Sequence, residues 1–284
     1  MTDDLHMAPD EFRRRGHEMV DWVADYLENI ERYPVNSRVS PGAIRDALPD
    51  TAPEDPEPFA DMMKDLDEII MPGVTHWQSP HWYAYFPANS SGPSILGELA
   101  AAGLGVQGML WSTSPAATEL ETVVVDWMVD LLGLPDTWRT TGPGGGVIQM
   151  SASDSTHVAL VTARETFGPR TPVDRLVVYA SDQTHSSLEK GARIAGYRHV
   201  RAIPTDSHYA LDMAALAAAI EPDKAAGLAP AFAAATIGTT ATTAVDPVRT
   251  LAQLATRHGM WCHVDAAYAG SAMICPEFRH HQDG

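Results

Sequence analysis

The sequence contains only two cysteines, Cys262 and Cys275, and neither belongs to a CxxC pair. We therefore expect free thiols and a cytoplasmic location. Basic residues are also few, because 19 Lys and Arg stand against 37 Asp and Glu, which gives a net charge of −18. This charge disfavours binding to nucleic acid and to an anionic membrane surface, so neither is predicted as a partner.

Several signatures are missing as well. No apolar run approaches the roughly 20 residues that span a membrane, and the acidic N-terminus lacks the apolar region of a signal peptide. The sequence Gly142–Val147 lacks the last glycine of a dinucleotide fingerprint, and no Walker A sequence occurs. Asp21 stands where a zinc protease of the HExxH type has its second histidine. Nucleotide binding and zinc proteolysis are therefore disfavoured, and no metal is predicted.

The second half of the chain alternates between two kinds of pattern. Short apolar runs predict strands, and each is followed by a stretch with helical spacing. Such alternation is typical of an α/β fold, with a mostly parallel sheet sandwiched by helices. The predicted strands are 175–180, 199–203, 229–236 and 260–265, and the predicted helices between them are 186–195, 212–220 and 246–259.

The first part of the chain predicts helices without an evident core. Residues 10–31 and 59–70 are amphipathic, and their apolar sides must pack either on this subunit or on a partner. A later helix should have Ser114 as its N-cap and end before Gly133. Its apolar residues, Leu120, Val123, Val124, Trp127 and Leu131, are expected to face the core. We divide the chain into an N-terminal helical extension with an aromatic segment, 1–92, and an α/β part, 93–284.

The strand Met260–Asp265 ends in a carboxylate. Ligands of open α/β sheets bind outside the carboxyl ends of the strands. A buried carboxylate is costly unless it is paired, and the protonated ring nitrogen of a cofactor would be a suitable partner. Alternatively, Asp265 caps the next helix or holds a neighbouring loop.

Other polar groups lie at predicted strand ends and helix starts. Ser151, Ala152 and Ser153 begin a helix, where free N–H groups form either an anion site or an ordinary N-cap. His185 and Thr240 lie in turns that follow two of the strands. With Asp265, these groups supply what an aromatic cofactor with a phosphate tail would need.

Residues 72–92 hold five aromatic side chains in a loop bounded by prolines. Aromatic residues outside regular structure often line a pocket. The other interpretation is that they only attach the N-terminal helices to the core. These residues are Trp77, Trp82, Tyr83, Tyr85 and Phe86.

Five motifs occur in order over nearly the whole chain, and they are Pro72–Trp77, Tyr85–Pro87, Ser181–Ser187, Ala235–Thr240 and His263–Ser271. Together they resemble the pyridoxal-phosphate-dependent aromatic-L-amino-acid decarboxylases of group II. The resemblance implies the large domain of PLP-dependent transferase fold type I, here incomplete, with an N-terminal helical extension. It also implies pyridoxal 5'-phosphate as cofactor and an aromatic L-amino acid as substrate.

The resemblance also implies residue roles. Asp265 would pair with the pyridine nitrogen, His185 would stack on the ring near the substrate carboxylate, and Ala267 would contact the opposite face. Asp246 would support the phosphate site, or it would only cap a helix. The phosphate would be held by Ser151, Ala152, Ser153 and Thr240. The substrate pocket would be formed by Trp77, Tyr85, Phe86 and Pro87, with Gln107 and Met109 reaching the neighbouring subunit of a dimer.

The family's Asn-Pro-His-Lys segment, whose lysine forms the Schiff base, is not in this sequence. Lys190 lies just after the His185 turn and does not match it. We therefore expect a second polypeptide that carries the lysine and the C-terminal domain, within a homodimer-like assembly of the two-chain unit. Two alternatives are an aromatic aldehyde synthase of the same family and a catalytically inactive cofactor-binding or interaction subunit. The sequence does not identify the amino acid.

Overall fold

The computed structural model describes residues 7–85, 90–168 and 171–284. The chain folds into two compact units, one ending at Leu104 and the other Gly105–Gly284. Within the described residues, no helix is both long enough and apolar enough to cross a membrane. The division at residue 92, which separates a pocket segment from the α/β part, stays a prediction.

The first unit is helical. Its longest helix, α1, begins at a proline, which suits the first turn because it has no N–H to leave unpaired. The apolar pattern of residues 10–31 thus predicted this helix to within a few residues. The helices are α1 (Pro9–Glu28), α2 (Ala43–Ala47), α3 (Phe59–Asp65), a π-helical turn (Leu66–Ile70), α4 (Met71–Gly73) and α5 (Gly92–Leu104).

A histidine joins α1 to the chain that follows the π-helical turn. His76 is buried, and its Nδ1 lies 3.0 Å from the hydroxyl of Tyr26. The ring of Tyr33 stacks on the imidazole at 4.9 Å. Burial lowers the pKa of His76, so the side chain is held neutral within this aromatic cluster.

The second unit contains a parallel sheet of four strands in the order β2-β1-β3-β4. Two strands, β2 and β3, have the predicted boundaries, because each is an apolar run bounded by turn residues. The predicted α/β fold class is confirmed. The elements are α6 (Pro115–Leu132), α7 (Ala152–Phe167), β1 (Leu176–Ser181), α8 (Ser187–Ile194), β2 (His199–Ile203), α9 (Met213–Ala225), β3 (Ala229–Thr236), α10 (Val248–His258) and β4 (Trp261–Asp265).

Helices cover both faces of the sheet. On one face, Leu160 of α7 and Leu188 of α8 pack on Val178 and Phe232. On the other face, helices α9 and α10 pack on the alternate residues of β1 and β3. Because side chains of a strand alternate between the faces, each strand contributes to both clusters.

Two sequence predictions for the helices are corrected. Helix α9 does not stop at residue 220 but continues through Pro222, whose carbonyl accepts a hydrogen bond from Ala226 N at 3.0 Å. Helix α6 has the predicted caps, Ser114 and Gly133. Its apolar stripe, however, does not face the core. Val124 is half-buried, and the exposed members are Leu120, Val123, Trp127 and Leu131.

Candidate active site

The carboxyl ends of neighbouring strands form the candidate site. Thr236 at the end of β3 is the register partner of Asp265 at the end of β4. The chain after β3 stays next to β4, because Ile237 N donates to Asp265 O at 2.8 Å. The turn that carries His185 follows Ser181, the last residue of β1. These three strand ends lie at one edge of the sheet, where open α/β folds bind ligands.

The Asp265 carboxylate is only half-buried. Its Oδ1 accepts a hydrogen bond from Ala267 N at 3.1 Å. Its Oδ2 accepts none from the described residues, so this oxygen is open to a ligand. Cys262 and Val264 pack with the α9 and α10 cluster, whereas Trp261 packs with the α7 and α8 cluster. By alternation, Asp265 points toward the face that α7 and α8 cover.

Two buried polar atoms lie on this same face without partners among the described residues. They are Oγ1 of Thr236 and Nε2 of His263. Thr236 alternates with Phe232 and Ala234 of the α7 and α8 cluster, and the His263 ring is 5.4 Å from that of Phe232. Burial lowers the pKa of His263, and the negative charge of Asp265, which acts to raise this pKa, offsets the effect only in part. Buried polar atoms without partners are uncommon and are often completed by a ligand or water.

Helix α7 begins at the same edge of the sheet, because it runs back to the amino end of β1. Ser151 is its N-cap: its Oγ accepts from Asp154 N at 3.2 Å and lies 3.0 Å from Asp154 Oδ2. The capping interpretation of Ser151 thus fits the structure. Ala152 and Ser153 are exposed in the first turn, where backbone N–H groups have no intrahelical acceptor.

The loop after β3 is closed and rigid at its base. Ile237 and Val245 form an antiparallel bridge, and the buried Thr239 hydroxyl lies 2.6 Å from that of Thr242. Thr240 at the tip is exposed and available to a ligand.

Gly238 brings this loop against the segment after β4. Its φ is +84°, and a Cβ added there would lie 2.7 Å from the ring of Tyr268 and 2.9 Å from Ala269 Cβ. Only glycine fits this close approach. The sequence shows the glycine in the turn but not the neighbour that requires it.

Asp246 lies at the end of this loop and binds Thr236 at its start. Its carboxylate is buried and accepts hydrogen bonds from Thr236 N and Leu211 N, both at 2.7 Å. Burial raises its pKa, and these two bonds oppose the rise. The N-cap of α10 is Pro247 and has no side-chain cap, so the interpretation of Asp246 as a helix cap is wrong.

His185 is exposed at the start of α8. Its Nδ1 lies 2.9 Å from Ser187 Oγ and accepts a hydrogen bond from Ser187 N at 3.3 Å. The sequence predicted a role for the histidine but not for this serine. The two-residue spacing was the available signal, because a side chain at such a position can accept from the backbone N–H two residues on.

The remaining predicted residues fall in different places. In the first unit, the ring of Trp77 lies 4.8 Å from that of Trp82 and stacks on Tyr85 at 5.7 Å. The predicted Phe86 and Pro87 lie outside the described residues. In the second unit, Gln107 and Met109 are exposed, as is Ala267 beside Asp265.

Most of the chain matches a known protein family. Residues 41–284 match the family model described as the pyridoxal-dependent decarboxylase conserved domain. The chain belongs to this family. The resemblance seen in the motifs is thereby confirmed, and so is the prediction of a pyridoxal cofactor.

Relatives of the chain include both decarboxylases and aldehyde synthases. It is 52% identical to phenylacetaldehyde synthase of Petunia hybrida, covering 98% of this chain and 56% of that protein. It is 47% identical to aromatic-L-amino-acid decarboxylase of Mus musculus, covering 96% of this chain and 60% of that protein.

A solved structure agrees with the fold. The structure of Catharanthus roseus tryptophan decarboxylase in complex with L-tryptophan matches with a TM-score of 0.94 at 47% identity, over 98% of this chain and 61% of that one. The chain therefore spans about three fifths of the length of the relatives it matches.

Proposed function

We propose that this chain, together with a second polypeptide, decarboxylates an aromatic L-amino acid to the arylalkylamine and carbon dioxide. The observation that carries the proposal is the Asp265 carboxylate beside Thr236, on the face where α7 and α8 begin. A flat, polar, phosphorylated ring suits a carboxylate, exposed N–H groups at a helix start and two buried polar atoms that lack partners among the described residues. The family membership identifies that ring as pyridoxal phosphate.

When bound, pyridoxal phosphate accepts the electron pair left on the substrate as carbon dioxide departs. Asp265 would accept a hydrogen bond from the ring nitrogen, and its negative charge would keep that nitrogen protonated. The N–H groups of Ala152 and Ser153, at the positive end of α7, would bind the phosphate. The hydroxyls of Ser151 and Thr240 would complete the phosphate site.

His185 and Ala267 would orient the ring. The imidazole of His185 would stack on it and donate a hydrogen bond to the substrate carboxylate. Ala267 would contact the opposite face, where a larger side chain would collide. Trp77, Tyr85, Phe86 and Pro87 bind the aromatic side chain of the substrate. Gln107 and Met109 complete the pocket of the neighbouring subunit in a dimer.

The lysine that binds the cofactor covalently comes from the second polypeptide in this proposal. The lysines of this chain lie on α3, α8 and α9, and they are Lys64, Lys190 and Lys224. Lys64 and Lys224 form exposed ion pairs with Glu68 and Glu221.

The surface of the chain supports the proposal of a partner. Strand β4 is paired only with β3 among the described strands, and its residues are half-buried throughout. A second polypeptide that pairs with β4 and a second copy of the unit would cover this surface.

Co-purification of the native protein tests the two-chain assembly. The part of the relatives that this chain does not cover corresponds to about 20 kDa, and under the proposal it is a separate band on a denaturing gel. A single longer polypeptide that carries both parts would refute the two-chain assembly. A visible absorbance that borohydride removes, with the label on a lysine of the second polypeptide, is also expected. An active preparation of this chain alone would contradict the assembly. An assembly that binds cofactor but forms no product would support the alternative that this chain is a catalytically inactive cofactor-binding subunit.

Product analysis tests the reaction and identifies the substrate. The complete assembly with cofactor would be given tyrosine, tryptophan, dihydroxyphenylalanine and phenylalanine in turn. An amine is the expected product, and an aldehyde would instead support the synthase activity that the Petunia relative suggests. Asp265→Ala should reduce turnover at least about a hundredfold. Unchanged turnover in this variant would refute the assigned role of Asp265.

A further inference from the structure

The side chain of His185 is oriented by a single residue of α8. Ser187 is buried, with 8% of its surface exposed, whereas His185 is exposed. Both polar groups of Ser187 approach the same ring nitrogen. Its backbone N–H donates to Nδ1 at 3.3 Å, and its Oγ lies 2.9 Å from Nδ1.

This arrangement determines which nitrogen of the neutral ring carries hydrogen. A backbone N–H can only donate, so its long contact of 3.3 Å favours a lone pair on Nδ1, and the shorter contact with Oγ at 2.9 Å supplies most of that preference. The serine hydroxyl then also donates to Nδ1, because an Nδ1–H would point at the N–H of Ser187. The hydrogen of the neutral imidazole is therefore on Nε2, the nitrogen away from Ser187.

We propose that Ser187 is a positioning residue that holds His185 in the tautomer with hydrogen on Nε2. This inference rests on the proposed function, in which His185 lies beside the substrate carboxylate. With hydrogen on Nε2, the ring offers that carboxylate a donor. With the other tautomer, it would present a lone pair to an anion, which is repulsive. Ser187 thus determines whether the His185 ring attracts or repels the substrate carboxylate, and it does so without contacting the substrate.

Capping of α8 is a separate effect of the same contact. The imidazole accepts the N–H of Ser187 much as an N-cap side chain does. Ser187→Ala retains this N–H and removes only the hydroxyl, so it tests the tautomer while leaving the cap in place. Ser186, the N-cap residue, makes no side-chain cap bond and is exposed. Ser186→Ala is therefore the matched control.

Nitrogen NMR of the chain with labelled histidine measures the tautomer directly. The spectrum would be recorded at about pH 8.5, where imidazoles are generally neutral. The two signals missing in His185→Gln belong to His185. We expect the shift of an N–H for Nε2 and of a lone-pair nitrogen for Nδ1 in the wild type and in Ser186→Ala. In Ser187→Ala the two shifts should move toward each other, and Ser187→Thr should restore them.

The result that overturns the inference does not depend on any serine variant. A wild-type spectrum with hydrogen on Nδ1, or with averaged shifts, would refute it even if Ser187→Ala failed to fold. Wild-type shifts retained in a folded Ser187→Ala would refute it as well.

Kinetics of the complete assembly separate this inference from the proposed function. Loss of one neutral hydrogen bond should lower kcat/KM about three- to tenfold in Ser187→Ala, with recovery in Ser187→Thr. If the wild-type assembly forms no product but the shifts behave as expected, the proposed function fails and control of the tautomer by Ser187 stands. If product forms and the shifts do not respond to Ser187→Ala, this inference alone fails.

Discussion

The central strands and the flanking helices bury their apolar residues to very different extents. Every residue of β1 is buried, and all but the first residue of β3 are buried. Helices α1 and α5 bury none of theirs, and α6 buries only Val129. The sheet layer therefore derives its stability from within this chain. The apolar surfaces of these helices are largely exposed, and their packing on a partner stays part of the proposal.

The sharpest test of this comparison uses the same substitution in both settings. Leu251 of α10 is fully buried, whereas Leu120 of α6 is 62% exposed. Leu251→Ala should reduce the free energy of unfolding by about 2–5 kcal/mol through lost burial and a cavity. Leu120→Ala should change it by less than about 0.5 kcal/mol. Urea unfolding of the chain measures both changes. Equal losses of free energy in the two variants would contradict the difference between the sheet layer and the flanking helices.

The same comparison can be made for polar contacts with two aspartates, each of which accepts hydrogen bonds from two backbone N–H groups. Asp246 does so in the core, while Asp212 caps α9 near the surface. Asp246→Ala leaves two buried donors without an acceptor and should cost about 2–4 kcal/mol. Asp212→Ala should cost about 1 kcal/mol, as for an ordinary cap. Thermal unfolding of the two variants at equal concentration would show this order, and a reversed order would contradict it.

The ion pair between Arg201 of β2 and Asp223 of α9 should contribute less to the free energy of unfolding than Asp246 does. Arg201 Nε donates to Asp223 Oδ2 at 3.1 Å, and the buried Tyr179 hydroxyl donates to the same oxygen at 2.9 Å. Because Arg201 is partly exposed, Arg201→Ala should cost about 1–3 kcal/mol. The control is Arg193→Ala, which removes an exposed pair with Glu189 and should cost less than about 1 kcal/mol.

The same ion pair predicts a pH dependence. Burial raises the pKa of Asp223, but the bonds from Arg201 and Tyr179 outweigh it, so the pKa is lowered overall. Its contribution to stability is therefore present above the unfolded pKa, about 4, and is lost as the pH falls below that value. Acid unfolding followed by circular dichroism should show a weaker loss in Arg201→Ala. An identical acid transition in both proteins would show that the pair does not act this way.

A small effect on the stability of the chain is also expected at Trp127, which is 59% exposed on α6. Trp127→Ser should change the free energy of unfolding of the isolated chain by less than about 1 kcal/mol. If α6 packs on a partner, the variant should nevertheless weaken the assembly. Sedimentation of the native complex and of the variant measures this directly. A large loss of stability in the isolated chain, with the assembly intact, would mean that α6 belongs to the internal core after all.

Much of the fold could be predicted because its signals are local. The boundaries of β2 and β3 follow from apolar runs and turn residues, and the caps of α6 follow from Ser114 and Gly133. The exposure of Leu120 and Trp127 could not be predicted, because a helical pattern shows that one side of a helix needs cover but not what provides it. The length of α9 was missed because proline usually ends a helix.

The candidate site was predicted less evenly. Asp265 and His185 were identified because a carboxylate and an imidazole follow buried strands. The hydrogen bonds of Asp246 depend on Leu211, 35 residues earlier in the chain, and no local pattern reports such a contact. The contact of Gly238 with Tyr268 was missed for the same reason. The residue roles toward the cofactor stay predictions that the experiments above address.

The two bonds of Asp246 have a wider consequence. One bond holds Thr236, where the strand beside Asp265 ends, and the other holds Leu211, which follows the turn Asp206–Ala210 after β2. The Asp246 carboxylate thus connects the threonine-rich loop after β3 with a surface turn that is distant in sequence. A change in that turn that displaces Leu211 would therefore also disturb the Asp246 carboxylate and, through it, the end of β3 beside Asp265.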